Sequence, residues 1–385
     1  MRILIYTGKG GVGKTSIAAA TGIKLAGKGI KTLVVSTDLA HSLSDSLGVD
    51  LNYQPTTILK NLDGMELNPQ HQLENHWAQI YQYLVDLLKM MGIKDIFAEE
   101  LTMFPGVEEL FSLLEIHEQF KKKGYDVLIM DFPPTASAIR LLSFFDIIGW
   151  YMEKFFKIKK KSIKFLRTFS NSFMELPLPE EDVFTAVEEI YQKMEEVKGI
   201  LTNPEITSVR LVLNPEEMVI NESQRAYTYL SLYGFKVDCI IVNKLFLPEA
   251  NSDFYNRILA RQRSNLTRIE KIFSSQRVFT LPLICEELKG LDNLKPVSRL
   301  LYQQEDPLDS FFGGIPLAVE KEGDGYHYRV YLPFLQRDKF RLHQKGGILI
   351  VTIGDYKQKL HLPQLLSNKS IKKAQYRDSY LHLSF

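Results

Sequence analysis

Gly8-Lys9-Gly10-Gly11-Val12-Gly13-Lys14-Thr15 lies between an apolar run, Arg2-Ile3-Leu4-Ile5-Tyr6, and an Ala- and Ile-rich segment, Ser16 to Leu25. The run reads as a buried strand and the segment as a helix, so the glycines mark a strand-to-helix turn. In that setting G-x-x-x-x-G-K-[ST] reads as a phosphate-binding loop. Its glycines let successive N–H groups curl toward phosphate oxygens, and the positive end of the helix, starting at Ser16, adds to them. Lys14 is then placed for the β- and γ-phosphates of ATP, and the Thr15 hydroxyl for Mg²⁺. The same glycines satisfy G-x-G-x-x-G, with Asp38 ending the next strand where a ribose-binding acid would lie. That dinucleotide reading gives no reason for Lys14-Thr15.

An ordinary phosphate loop leaves the position of Lys9 free. With Lys9 before the double glycine, the string resembles the deviant Walker A loop of one class of ATPases. That class holds the arsenite-pump ATPase, the tail-anchored-protein-targeting ATPase, nitrogenase iron protein and the septum-positioning and partitioning ATPases. The resemblance implies a homodimer in which Lys9 reaches the partner's nucleotide and stabilises transition-state charge, as an arginine finger does. A solvent-facing loop lysine is the alternative.

Thr32-Leu33-Val34-Val35-Ser36-Thr37 reads as a second buried strand ending in Asp38. A carboxylate at the carboxyl edge of an open α/β sheet can orient or deprotonate water, and nearby hydroxyls can join a Mg²⁺ shell. The segment Asp38 to Asp45 is similar to switch I of the arsenite-pump and tail-anchored-targeting ATPases, with Leu39 in place of proline. The resemblance implies that Asp38 is the catalytic acid that positions water. Asp45 is the competing acid, or the cap of a short helix.

Val127-Leu128-Ile129-Met130-Asp131 is a third buried strand, and its terminal acid suits a Mg²⁺-holding Walker B position. The sequence after it resembles the family's switch II at Asp131, Pro134, Thr135, Arg140 and Leu141. Phe132, Pro133, Ala136 and Ser137 depart from it, which puts the coupling of hydrolysis to movement in doubt. Val209 to Asn214 and Cys239 to Asn243 are further buried strands. A crossover helix, Asn221 to Tyr233 and capped by Asn221, is expected between them. The resemblance implies that Asn243 helps recognise adenine, with the Leu281-Pro282-Leu283 strand end lining the base; a satisfied turn Asn is the competing reading. The fold class expected is α/β, a doubly wound, mainly parallel sheet.

Helical inserts are expected at about 70–120 and 145–200. Leu73, Trp77, Ile80, Leu84 and Leu88 share one face, as do Val183, Val187, Ile190, Met194 and Val197. Lys154 to Arg167 is a basic, aromatic-bearing stretch suited to anionic lipid or a client segment. Asn251 to Ser274 reads as a long polar helix. The expected domains are an ATPase domain at 1–303, a linker at 304–314 and a small β-sandwich at 315–385. In the last, Tyr326, Tyr328, Val330 and Leu332 alternate with polar residues. This part resembles the α-crystallin (small heat-shock) domain, which presents sheet edges to partners.

The 385 residues are 45% hydrophobic and 24% charged, with net charge +1, which gives no argument for nucleic acid as a partner. Two cysteines, Cys239 and Cys285, form no C-x-x-C pair, so no structural zinc is expected. The first strand starts at Arg2 and no apolar run approaches ~20 residues, so a cytoplasmic protein is expected. Three uses of hydrolysis remain open. One is a chaperone or targeting factor that holds a hydrophobic client or membrane-protein segment in the helical inserts, with transient membrane or receptor contact. The second is the energising subunit of an anion or metalloid efflux system. The third is a weakly hydrolysing ATP-binding scaffold.

Overall fold

A computed structural model describes residues 1–37, 42–67, 107–133, 135, 181–248, 252–323, 325–354 and 356–385. Asp38, the helix faces of 73–88, the Lys154–Arg167 stretch and most of the switch II segment lie outside the described residues.

The chain divides into two compact units. The first holds Met1–Glu66, Gly124–Ile139 and Leu201–Phe385, and is built on an eight-stranded sheet. Its strands are β1 (Arg2–Thr7), β2 (Thr32–Ser36), β3 (Thr56–Leu59), β4 (Leu62–Glu66), β5 (Val127–Asp131), β6 (Thr207–Leu213), β7 (Val237–Leu245) and β8 (Arg277–Pro282). Their spatial order is β3-β4-β2-β5-β1-β6-β7-β8, parallel except at β3. The inner strands are mostly apolar, because helices cover both faces of a parallel sheet. The run VLIMD of β5 and the run TLVVS of β2 are buried at every position. The chain leaves β1 toward β2 on one side and takes β6, β7 and β8 to the other. The crevice at the carboxyl ends of the central strands is therefore where a ligand is expected in such a sheet.

Among the described residues, the longer helices of this unit are α1 (Lys14–Gly27), α2 (Ser42–Leu47), α5 (Glu217–Leu232), α6 (Asp253–Ile272) and α7 (Leu291–Leu300). In α1 the small residues Ala18, Ala19 and Ala20 are buried, letting the helix lie close on the sheet. The side chain of Ser252 caps α6 by accepting from the Tyr255 amide at 3.2 Å. The cap expected at Asn221 is not there. The helix begins at Glu217, and the Asn221 Oδ1 accepts from Arg268 Nη2 of α6 at 2.8 Å.

Beyond α7, the polar stretch at 304–314 is bound along the sheet. Pro307 O accepts from Arg210 Nη2, Lys28 Nζ reaches Asp306 at 2.7 Å, and Lys236 Nζ donates to Ser310 Oγ at 2.7 Å. Arg210, fully buried on β6, also donates to the Tyr302 hydroxyl at 2.7 Å and lies 3.6 Å from the buried Asp238. The C-terminal residues form two antiparallel sheets around one core. One sheet is β9 (Leu317–Glu322), β10 (Gly325–Tyr331), β14 (Lys373–Arg377) and β15 (Tyr380–Ser384). The other is β11 (Phe340–Lys345), β12 (Ile348–Ile353) and β13 (Tyr356–His361). As the alternation predicts, Tyr328, Val330 and Leu332 enter that core, and Leu232 of α5 joins them.

The second unit holds Leu67–Lys123 and Arg140–Ile200. Its described helices are α3 (Val107–Lys122) and α4 (Glu181–Thr202), whose last two residues fall in the first unit. Glu196 accepts from Lys121 at 2.7 Å and lies 3.0 Å from His117 Nε2. These hydrogen bonds hold its carboxyl down at about 2.

Candidate functional site

Gly8 to Gly13 turn the chain from β1 into α1. A side chain at Gly13 is doubly excluded: its φ is 95°, and a Cβ there would lie 2.4 Å from Asn243 Nδ2. At Gly8 a Cβ would meet the Val212 carbonyl oxygen at 2.1 Å. The loop is also braced from β7. Asn243 Nδ2 donates to Val12 O at 2.9 Å, and Lys244 Nζ donates to Gly11 O at 2.7 Å. Lys244 itself adopts φ 61°, the left-handed region that turns its side chain out of the strand's alternation. Lys14 is 7% exposed, and its Nζ lies 3.4 Å from Lys9 O, folded back over the loop.

The oxygen donors gather at the start of α1. Thr15 Oγ1 donates to Asp131 Oδ2 at 2.7 Å and lies 3.3 Å from Ser42 Oγ. Asp131 is buried at the end of β5, where its carbonyl accepts from the Thr37 amide at 3.0 Å and hydroxyl at 3.1 Å. Ser42 opens α2, whose first amides are held by Glu66 at the end of β4. Glu66 Oε1 accepts from Leu43 N at 3.0 Å and Ser44 N at 2.8 Å, and Oε2 from Ser44 Oγ at 2.8 Å. A buried carboxylate on helix-terminal amides is favoured by the helix dipole as well as by its hydrogen bonds. Asp45 therefore does not cap this helix. It sits inside the first turn, and Glu66 takes the capping part.

Two hydroxyls and a carboxylate are hard oxygen donors, the set that suits Mg²⁺ and not a thiolate-seeking metal. A Cβ on Gly10 or Gly11 would meet nothing within 4 Å, so the described protein leaves space over the loop. The residues present thus fit a triphosphate with its magnesium. The structure brings Lys9, Lys14, Thr15, Ser42 and Asp131 to one edge of the sheet. Pro282 ends β8 beside β7, in register with Leu245, and the Leu283 amide donates to Leu245 O at 2.7 Å. Asn243 and Pro282 stand on neighbouring strand ends, and Asn243 spends its described amide bond on the loop. Thr135, of the segment after Asp131, donates to Glu222 of α5 at 2.6 Å.

Glu66 and Lys244 belong to this site and carry no sequence signal of their own. Glu66 ends Leu62-Asp63-Gly64-Met65-Glu66, too short and polar to read as a strand, and Lys244 reads as the end of an apolar run.

The profile of the family described as "Anion-transporting ATPase", ArsA-type, matches residues 1–303. The chain belongs to this family. A second profile, "HSP20-like domain found in ArsA", matches residues 323–385. At full length the chain is similar to a protein of Aquifex aeolicus (strain VF5) named "Putative arsenical pump-driving ATPase 1". The two are 38% identical over 97% of each chain. Proteins of Prosthecochloris vibrioformis and Chlorobaculum tepidum, named "Putative arsenical pump-driving ATPase", are 38% and 37% identical over 100% of this chain and 96% of theirs. Membership in the family implies nucleotide binding and ATP hydrolysis at the level of the family. Among the described residues, no helix is long and apolar enough to cross a membrane.

Proposed function

We propose that the chain is a Mg²⁺-dependent ATPase that rearranges a homodimer around an apolar client segment. The observation that carries the ATPase reading is the contact of Thr15 with Asp131 at the lip of the glycine loop. It joins the residue after the loop lysine to the acid ending a neighbouring strand, the pair from which phosphoryl-transfer sites hold magnesium.

In this reading Thr15 and Asp131 hold the ion, which when bound neutralises charge on the β- and γ-phosphates. Ser42 is kept within reach by Glu66. Lys14, restrained over the loop, takes developing charge on the terminal phosphoryl group. Asp38 orients the attacking water, an assignment that rests on the likeness of its segment to switch I. Little covalent chemistry is asked of the protein; positioning and fixed charge do the work.

A second copy is supported by the surface beside Lys9. Lys9 lines a cleft of about 560 Å³ with Met218, Phe246, Arg261 and Leu283. Met218 is 73% exposed and Phe254, on the neighbouring α6, is 68% exposed. Apolar side chains clustered around a loop lysine favour association of like faces, which would place each Lys9 at its partner's nucleotide. The helical second unit is assigned to the client.

The names of the relatives favour a second reading, in which the same hydrolysis energises anion efflux. Trivalent metalloids bind thiolates. Cys239 is buried, which pushes its thiol pKa up, and Cys285 is exposed. Two such cysteines do not make a three-thiolate site, so the client reading is preferred. Light scattering tests the dimer: a non-hydrolysable ATP analogue should double the mass of the wild type and not of Lys9→Ala. Equal mass with and without the analogue would refute it.

A further inference from the structure

The cleft between α5 and the C-terminal β-domain lies within the first unit, and none of the residues assigned to the nucleotide lines it. We propose that it is a binding site for a small organic anion with an apolar body. Its volume is about 630 Å³, within the roughly 300–1,000 Å³ typical of small-molecule sites.

One wall is a single face of α5. Asn221, Gln224, Arg225 and Thr228 recur at the three- and four-residue spacing that aligns side chains along a helix. The opposite wall comes from the segment around β11 and the end of β12: Phe334, Gln336, Lys339 and Ile353.

The charge is one-sided. Of the described residues, each wall contributes one cation, Arg225 and Lys339, and no acidic residue lines the cleft. Among the described residues, neither cation is paired with a carboxylate, and neither the Gln224 nor the Gln336 carboxamide bonds another side chain. Three neighbouring acids among the described residues are otherwise placed. Glu217 pairs with Arg268 and Glu222 accepts from Thr135, while Asp338 is exposed outside the cleft. Two cations and two carboxamides around one space match a phosphate or carboxylate group. The Phe334 ring and Ile353 supply apolar surface for the rest of the ligand.

The walls are tied together before any ligand arrives. The Thr228 hydroxyl lies 2.8 Å from Pro333 O and 3.0 Å from Gln224 O. The Phe334 ring packs edge-on against Tyr227 of α5 at 5.8 Å between centroids. The Gly354 amide donates to Lys339 O at 2.9 Å, holding Lys339 beside β12. A preformed cleft loses less freedom on binding than one that must close.

Calorimetry on the nucleotide-free full chain tests the site, with 1-naphthyl phosphate as probe. One probe should bind per chain, and 1-naphthol and inorganic phosphate should each bind more weakly. Arg225→Gln and Lys339→Gln should each weaken the phosphate ester by about tenfold, the loss of one charge-assisted contact. Both side chains are exposed, so the variants should melt with the wild type. Lys14→Ala should bind the probe as the wild type does, which separates this cleft from the phosphate loop. Absence of saturable binding would overturn the proposal. So would binding lost in Lys14→Ala but retained in the double variant of Arg225 and Lys339.

Discussion

Replacing Gly13 by alanine sets the geometry of the loop against a number. An alanine held at the φ of 95° found there costs roughly 1–3 kcal/mol. Its Cβ would also lie 2.4 Å from Asn243 Nδ2. The short Asn243 side chain must therefore rotate away and give up its bond to Val12 O, a further loss of about 1 kcal/mol. Together these disfavour the loop conformation by about 2–4 kcal/mol, which weakens ATP binding by about 30-fold to 1,000-fold. Calorimetric titration with a Mg²⁺-loaded, non-hydrolysable ATP analogue reads this directly. Gly10→Ala is the fold control, because its Cβ would meet no described atom within 4 Å. It should leave the melting temperature unchanged. In Gly13→Ala/Asn243→Ala the clash is gone while the backbone cost remains, so the two changes should not add. Wild-type affinity in Gly13→Ala would refute the reasoning.

Three further outcomes are expected. Glu66→Gln weakens the charged anchor of α2, so the Mg²⁺ concentration for half-maximal turnover should rise about tenfold or more; a magnesium titration of ATPase rate checks it. Arg210→Met leaves the buried Asp238 without its cation and releases Pro307 O, costing about 3–5 kcal/mol, and adding Asp238→Leu should recover much of this. Chemical denaturation and proteolysis near 301–314 would show both effects. Burial, then Arg377 and His327, depress the pKa of His382 from its ordinary 6.5. The unfolded chain then binds the proton first, so stability held above about pH 6.5 is lost as pH falls through it. Thermal melts between pH 7.5 and 5.5 should show a shallower loss for His382→Gln.

The central strands and the glycine loop were legible because one local rule governs each. A strand covered on both faces is buried at every position and mostly apolar, as in β2 and β5, and a strand-to-helix turn around phosphate needs glycines at set spacings. What escaped depends on neighbours distant in sequence. The pair β3–β4 carries Asn61, Asp63 and Gly64 and shows no strand pattern of its own, yet it extends the sheet and delivers Glu66 to α2. Asn221 has the composition of a cap, but its oxygen is taken by Arg268 and the helix starts a turn earlier. Arg210 reads as a blemish in an apolar strand. Its partners come from two other places in the chain, Asp238 from β7 and Tyr302 and Pro307 from the stretch after α7, which that cluster helps to hold. For the site residues, the motif named the loop and Asp131, while the brace from Lys244 appears only where the strand ends are set side by side.

Lys14, Thr15 and Asp131 are the proposed holders of Mg²⁺-ATP, and calorimetry of ATP with and without magnesium tests that assignment most directly. Wild-type protein should bind one nucleotide per chain, more tightly with Mg²⁺ than with EDTA. Lys14→Ala should lose both binding and turnover. Magnesium-independent binding, or turnover undiminished in Lys14→Ala, would contradict the account.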